Sequence, residues 1–217
     1  MRSQKKNVAM LCLFYFLSYI AFVLPYGYMQ TFLEYVGYDV VERGIILSGT
    51  AVVAIITQFF IGYLCDKYKT DKKFFNLCLI VFVLSTLVMY QVTQRNFFLH
   101  LIFISLVGGM FRTTLAVQDT WTLETSETCR NNFGPIRAFG AIGWMIGSPI
   151  GALVVEHYGY PALGYVFAGL AVLNIVLTMF MQDAVKVEKS GGIHASDLKE
   201  LLLDKKYVVV VLIFLFI

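Results

Sequence analysis

The chain has 217 residues, 59% of them hydrophobic and only 14% charged, against about 25% charged residues in an average soluble domain. With a mean hydropathy of +0.74, that composition excludes a water-soluble globular fold. The net charge of +3 gives no basis for a nucleic-acid partner; the informative quantity is where the basic residues fall along the chain.

Arg2, Lys5 and Lys6 precede a first apolar run, Val8 to Met29. It is too long for a signal peptide and lacks a small-residue cleavage site, so it reads as a membrane span. Five further runs follow: Gly44 to Leu64, Phe74 to Val92, Phe97 to about Leu115, Ala138 to Val155 and Pro161 to Met181. Each is near the ~20 residues a helix needs to cross a ~30 Å hydrocarbon core. The runs are continuously apolar rather than alternating with period two, which excludes a membrane β-barrel. The expected fold is an all-α integral membrane protein whose six transmembrane helices occupy residues 1–182. Short loops make antiparallel neighbours of consecutive helices the expected packing.

With the amino terminus placed in the cytoplasm, 13 of the 17 basic residues fall in cytoplasmic segments and only Arg43 and Arg95 in outward loops. The positive-inside rule therefore predicts a cytoplasmic amino terminus in a multi-pass protein of the cell membrane.

The loop between the second and third spans reads "GYLCDKYKTDKKFF". Gly62 would let a neighbouring helix approach closely, and Asp66 can cap a helix amino terminus or pair with an arginine. Gly62, Leu64, Asp66, Lys67, Lys72 and Lys73 stand in the order of the signature loop of the major facilitator superfamily, which this chain resembles. Tyr68, Lys69 and Thr70 replace the small residue that the family usually carries after the Asp-Lys pair. The resemblance implies a conformational latch at Gly62, Asp66 and Lys67. It also implies that the six helices are the amino-terminal bundle of a twelve-helix transporter, built as two three-helix repeats.

The fourth span carries Arg112 and Asp119, seven residues apart, and the fifth carries Arg137 and Trp144 at the same spacing, so each pair shares one helix face. Ionisable residues inside a span cost about 2.5 to 3.5 kcal/mol on insertion scales and mark functional sites when a partner exists. Asp119 is the expected partner of Arg137, whose planar fork can hold a carboxylate bidentately. Gly143, Gly147 and Gly151 recur every fourth residue, which predicts a groove for close helix packing. Pro149 and Gly140 make the same helix easy to bend.

The stretch F-G-x-x-R-x-F-G-x-x-G-W, Phe133 to Trp144, is similar to the fifth helix of the oligosaccharide:proton symporters, the lactose permease group. There a fourth-helix carboxylate and this arginine bind sugar hydroxyls while the tryptophan stacks on the sugar ring. The resemblance implies that Asp119, in place of a longer Glu, Arg137 and Trp144 contact a di- or oligosaccharide. Arg112 has no counterpart and stands as a second hydroxyl donor or as a charge partner of Asp119. A related motif, Y-G-x-x-R-x-W-G, in this helix of facilitators that include carriers of aromatic acids leaves nucleosides, aromatic acids and drug efflux as alternative solutes.

After the sixth span, residues 183–206 turn polar and read as a cytoplasmic linker. Ser196 starts an amphipathic helix there, and Leu198, Leu201 and Leu202 form its apolar stripe. Residues 207–217 begin a seventh span too short to cross, so the chain is expected to stop at the start of that helix. The expected partners are a small-molecule substrate, the lipid bilayer and the carboxy-terminal half of the same transporter. Four scattered cysteines and three isolated histidines give neither a disulfide framework nor a metal site. They also supply no catalytic cluster, so the chain is not expected to be an enzyme. The expected coupling ion is a proton and no cofactor is expected; a non-transporting sensor is the reading from another class.

Overall fold

Proline and glycine set the first break in the bundle. A computed structural model of the chain describes residues 2–186 and Val209, and its first helix, α1 (Arg2–Gly27), contains Pro25 in its last turn. Tyr90 donates its hydroxyl to the carbonyls of Leu24 and Pro25 at 3.2 and 3.0 Å, covering acceptors at the break. The chain resumes at once as α2 (Met29–Val36), so the first membrane-length segment is Asn7–Val36. It ends at Gly37, whose φ of 93° suits a residue without a Cβ.

Five more membrane-length helices follow: α3 (Val40–Tyr68), α4 (Lys72–Gln91), α5 (Phe97–Thr125), α7 (Phe133–Tyr158) and α8 (Tyr160–Met179), with a five-residue α6 (Glu127–Asn131) between α5 and α7. Asp39 starts α3 with a capping box, its side chain accepting from the Glu42 amide while Glu42 reaches back. Among the described residues there is no strand. The protein is therefore an all-helical, multi-pass membrane protein, and the six expected spans are the six observed. The linker stripe at Leu198, Leu201 and Leu202 lies outside the described residues. So does the start of the seventh span, Val209 excepted.

Two helices run further than their apolar stretches. The fourth span continues past Leu115 to Thr125, and the fifth begins at Phe133 rather than Ala138. Gln118, Thr122 and Thr125 are buried inside the bundle, so polar residues extend α5 without facing lipid. Asp119 and Arg137 consequently sit within helices, not in a loop.

The expectation that consecutive helices pair holds for α4 with α5 and more weakly for α7 with α8, but the other close pairs join helices apart in sequence. α1 packs on α7 and α8, α5 packs on α3 and α4, and α4 meets α8. Exchanging α1, α3 and α4 for α5, α7 and α8 reproduces this pattern, as two interleaved three-helix repeats would. Glycines explain the choice of partner. Gly143, Gly147 and Gly151 of α7 press against Phe16, Ile20, Val23, Leu24 and Tyr28 of α1 and its end, leaving no room for a Cβ. Gly49, Gly108 and Gly109 do the same between α3 and α5, against Ser105, Thr50 and Val53. Backbones this close gain dispersion contacts that lipid cannot offer.

The core is aromatic. Phe14, Phe22, Phe75, Phe82, Phe167 and Trp121 are fully buried, and Phe82 and Phe167 lie 4.7 Å apart between ring centroids. A buried hydrogen bond of 2.8 Å from Ser18 to Asn174 ties α1 to α8 through this core.

Candidate functional site

Where α1, α5 and α7 meet, charge and aromatic rings share one face. Asp119 lies six residues before the end of α5 and Arg137 is the fifth residue of α7, about 9 Å and about 6 Å inside the bundle at 1.5 Å per residue. Arg137 Nη2 approaches Asp119 Oδ2 to 3.5 Å, with 54% of the arginine side chain and 24% of the aspartate exposed. The expected pair is therefore formed. It is not bidentate: Tyr15 of α1 donates its hydroxyl to Asp119 Oδ1 at 2.8 Å, and the guanidinium lies 5.9 Å above the centroid of Phe133, one turn back on α7. A contact of 3.5 Å is electrostatic rather than a full hydrogen bond. The guanidinium thus retains donors free for a further acceptor.

Trp144 stands two turns further along α7. Its ring lies 6.4 Å from Tyr19, 6.3 Å from Tyr26 and 5.9 Å from Phe111 between centroids, and Tyr26 stacks on Phe111 at 4.0 Å. Tyr19, Tyr26 and Trp144 are each half-buried. The result is an aromatic wall beside a partly open ion pair, which can hydrogen-bond hydroxyls at one end and cover an apolar ring face at the other.

Sequence reasoning missed the contribution of α1. Tyr15, Tyr19 and Tyr26, spaced by four and seven, lie on one helix face, and that spacing was the available signal. Tyr15 reaches Asp119 of the ion pair, and Tyr19 bridges Tyr15 and Trp144, its ring 6.0 and 6.4 Å from theirs between centroids. Arg112 is on α5 directly after Phe111, and its side chain is exposed. The ion pair of Asp119 is formed with Arg137 and not with Arg112, so a direct charge pairing of Arg112 with Asp119 is absent among the described residues.

The loop at the amino-terminal end of the bundle departs from its expected form in three ways. Gly62 is exposed, and a Cβ there would meet nothing within 4 Å, so no helix of this bundle approaches it. Among the described residues Asp66 caps no helix and pairs with no arginine; it lies 3.3 Å from Lys186 Nζ and is 79% exposed. The amino terminus of α4 is capped instead by Asp183, whose Oδ1 accepts from the amides of Asp71 and Lys72 at 3.1 and 3.0 Å. Asp183 wins because the chain leaving α8 folds back beneath the bundle and places this carboxylate at the helix end. Burial alone would raise the Asp183 carboxyl. Hydrogen bonds from Thr70 and from the amides of Lys72, Ala184 and Asp71 outweigh it and hold the group below its ordinary value.

Comparison with known proteins bears on the family and the fold. The family model described as "MFS_1 like family" matches residues 8–217. The chain belongs to that family. It is a family of multi-pass membrane transporters, not of enzymes. No curated protein matches the chain in sequence. Among solved structures, a mutant of the nucleoside transporter NupG superposes with a TM-score of 0.76 at 16% sequence identity. The match covers 96% of this chain and 53% of that one, so the chain spans about half the length of this structural relative. At that identity the likeness shows the fold alone.

Proposed function

We propose that these six helices are the amino-terminal half of a proton-coupled carrier that binds a sugar between two bundles and exposes it to each side in turn. The observation that supports this reading is the Asp119–Arg137 pair, half open and held by Tyr15, on the same face as Trp144. Sugars present hydroxyls, which charged groups bind strongly in a dry site, and an apolar C–H face, which aromatic rings cover. Arg112 serves as a further hydroxyl donor from the open face of α5. The carboxy-terminal half forms the other wall, and the amino terminus lies in the cytoplasm of a cell-membrane protein, as the distribution of lysine and arginine favours.

Gly62, Asp66 and Lys67 act in this reading as part of a latch that closes when the second bundle packs against the amino-terminal end. The open space at Gly62 supports that role, since it leaves room for a helix from outside this bundle.

A second reading is supported by the likeness to a nucleoside transporter. A nucleoside also offers hydroxyls and a flat ring, and the same wall suits it. Counterflow in proteoliposomes containing the complete carrier separates the two. Preloaded disaccharide should drive uptake of labelled disaccharide while nucleosides fail to compete; competition by nucleosides alone would replace the sugar reading with the nucleoside one.

A further inference from the structure

One ammonium group at the amino-terminal end of the bundle faces three carboxylates. Lys186, only 10% exposed, places Nζ 2.7 Å from Glu124 of α5, 2.9 Å from Asp71 of the α3–α4 turn and 3.3 Å from Asp66 of α3. Asp71 is 1% exposed. The segment that delivers this lysine is tied down along its length. Trp121 Nε1 donates to the Gln182 carbonyl at 2.9 Å, the Val185 amide donates to the Glu124 carbonyl at 3.0 Å, and Asp183 caps α4. Two of the loop lysines are engaged elsewhere: Lys67 lies over the rings of Tyr63 and Tyr68, and Lys72 donates to the Met181 carbonyl at 3.0 Å.

We propose that Lys186, and not a basic residue of the α3–α4 loop, is the positioning cation of the latch, holding Asp66, Asp71 and Glu124 in the arrangement that the transport cycle opens and closes. The inference rests on the latch reading above. Buried carboxylates without a cation repel one another and are costly to desolvate. Lys186 therefore decides whether α3, the turn and α5 stay joined.

The groups facing the site are Cys65 and Asp66 from α3, Asp71 and Lys72 from the turn and helix start, Glu124 from α5, and Asp183 on the segment that carries Lys186. Burial pushes the Asp71 carboxyl above its ordinary value against the lowering pull of Lys186. Burial would also lower the lysine, yet hydrogen bonds to Glu124 and Asp71 outweigh it and raise the ammonium instead. With Lys186 gone, the buried Asp71 carboxyl loses the cation that lowers it and takes up a proton more readily.

The test uses the complete carrier in proteoliposomes, measuring exchange of labelled substrate against pH together with equilibrium substrate affinity. Lys186→Met and Asp66→Asn should each slow exchange at neutral pH about tenfold, about 1.4 kcal/mol on the barrier, with affinity unaltered. Lys186→Arg should retain exchange. Lys186→Met should also recover as pH falls, and Lys186→Met/Asp71→Asn should exchange near the wild-type rate at every pH, because the asparagine stands in for the protonated carboxyl. A merely structural lysine would change the amount of folded protein but not this pH profile. Wild-type exchange by Lys186→Met beside slow Asp66→Asn overturns the inference and leaves the latch reading standing. Wild-type exchange by both overturns the latch reading itself. Should Lys186→Met fail to fold, the double variant decides, since slow exchange by it at every pH overturns the inference.

Discussion

Tyr15 of α1 donates its hydroxyl to Oδ1 of Asp119 on α5 at 2.8 Å, so the carboxylate that meets Arg137 of α7 is oriented by a third helix. The tyrosine is fully buried. A buried donor of this kind fixes its acceptor in one rotamer, and the second oxygen, Oδ2, is left toward the arginine and any bound hydroxyl. Three helices thereby share one polar node.

If that node orients substrate, Tyr15→Phe should keep the packing of the ring and lose the orientation of Asp119. Substrate affinity should fall about tenfold, the upper end of a net hydrogen-bond contribution. Isothermal titration of the complete carrier, with thermal unfolding measured alongside, checks this. Unaltered affinity with a lowered melting temperature would make Tyr15 a structural residue only.

The glycine groove makes a prediction about stability. A Cβ at Gly143 meets the Phe16 carbonyl and one at Gly147 meets Ile20, so Gly143→Ala should separate α1 from α7 and cost about 1 to 3 kcal/mol through overpacking. Gly44→Ala, where nothing lies within 4 Å, should be neutral or slightly stabilising because alanine favours the helix. Thermal unfolding of the two variants in detergent compares them directly. Equal melting temperatures would remove the groove from the account.

How much of this was legible in the sequence follows from what each signal encodes. Long apolar runs encode spans, and all six are where hydropathy puts them. Hydropathy does not encode neighbours: α7 follows α5 in sequence, yet it packs on α1 because Gly143, Gly147 and Gly151 fit only a close backbone. Asp119 and Arg137 were legible because charges inside spans are costly. Tyr15 was not, since a tyrosine in an apolar helix carries no cost that demands a partner. The cap of α4 was not legible: local spacing offers Asp66 as a helix cap, whereas Asp183 comes from more than 100 residues further along.

Asp183 gives a pH dependence with a definite sign. Its carboxyl is held below the ordinary value of 3.8, so the stability it contributes is fully present above that value and is lost as pH falls through the depressed one. Asp183→Asn should therefore melt below wild type at pH 7, and the difference should shrink as the buffer is taken below about 3.8. A difference independent of pH would show that the cap acts by shape and not by charge.

The bundle alone should not transport. Its aromatic wall and ion pair line one side of the proposed cavity, and alternating access needs a second bundle to rock against. Liposomes carrying only the 217-residue chain should take up labelled disaccharide no faster than protein-free liposomes. Uptake above that control would mean that this chain builds the whole pathway, by itself or as a pair of copies.

The central claim is that Arg137 and Trp144 read the two faces of a sugar, and equilibrium sugar binding by the complete carrier tests it most directly. Arg137→Lys keeps the charge but loses the planar fork, so affinity should fall nearly as far as with Arg137→Ala. Trp144→Tyr keeps an aromatic face and should retain most of the affinity, whereas Trp144→Ala should not. Normal sugar binding by both Arg137→Lys and Trp144→Ala would contradict the account, leaving Asp119 and Arg137 as a structural clamp and placing the substrate elsewhere.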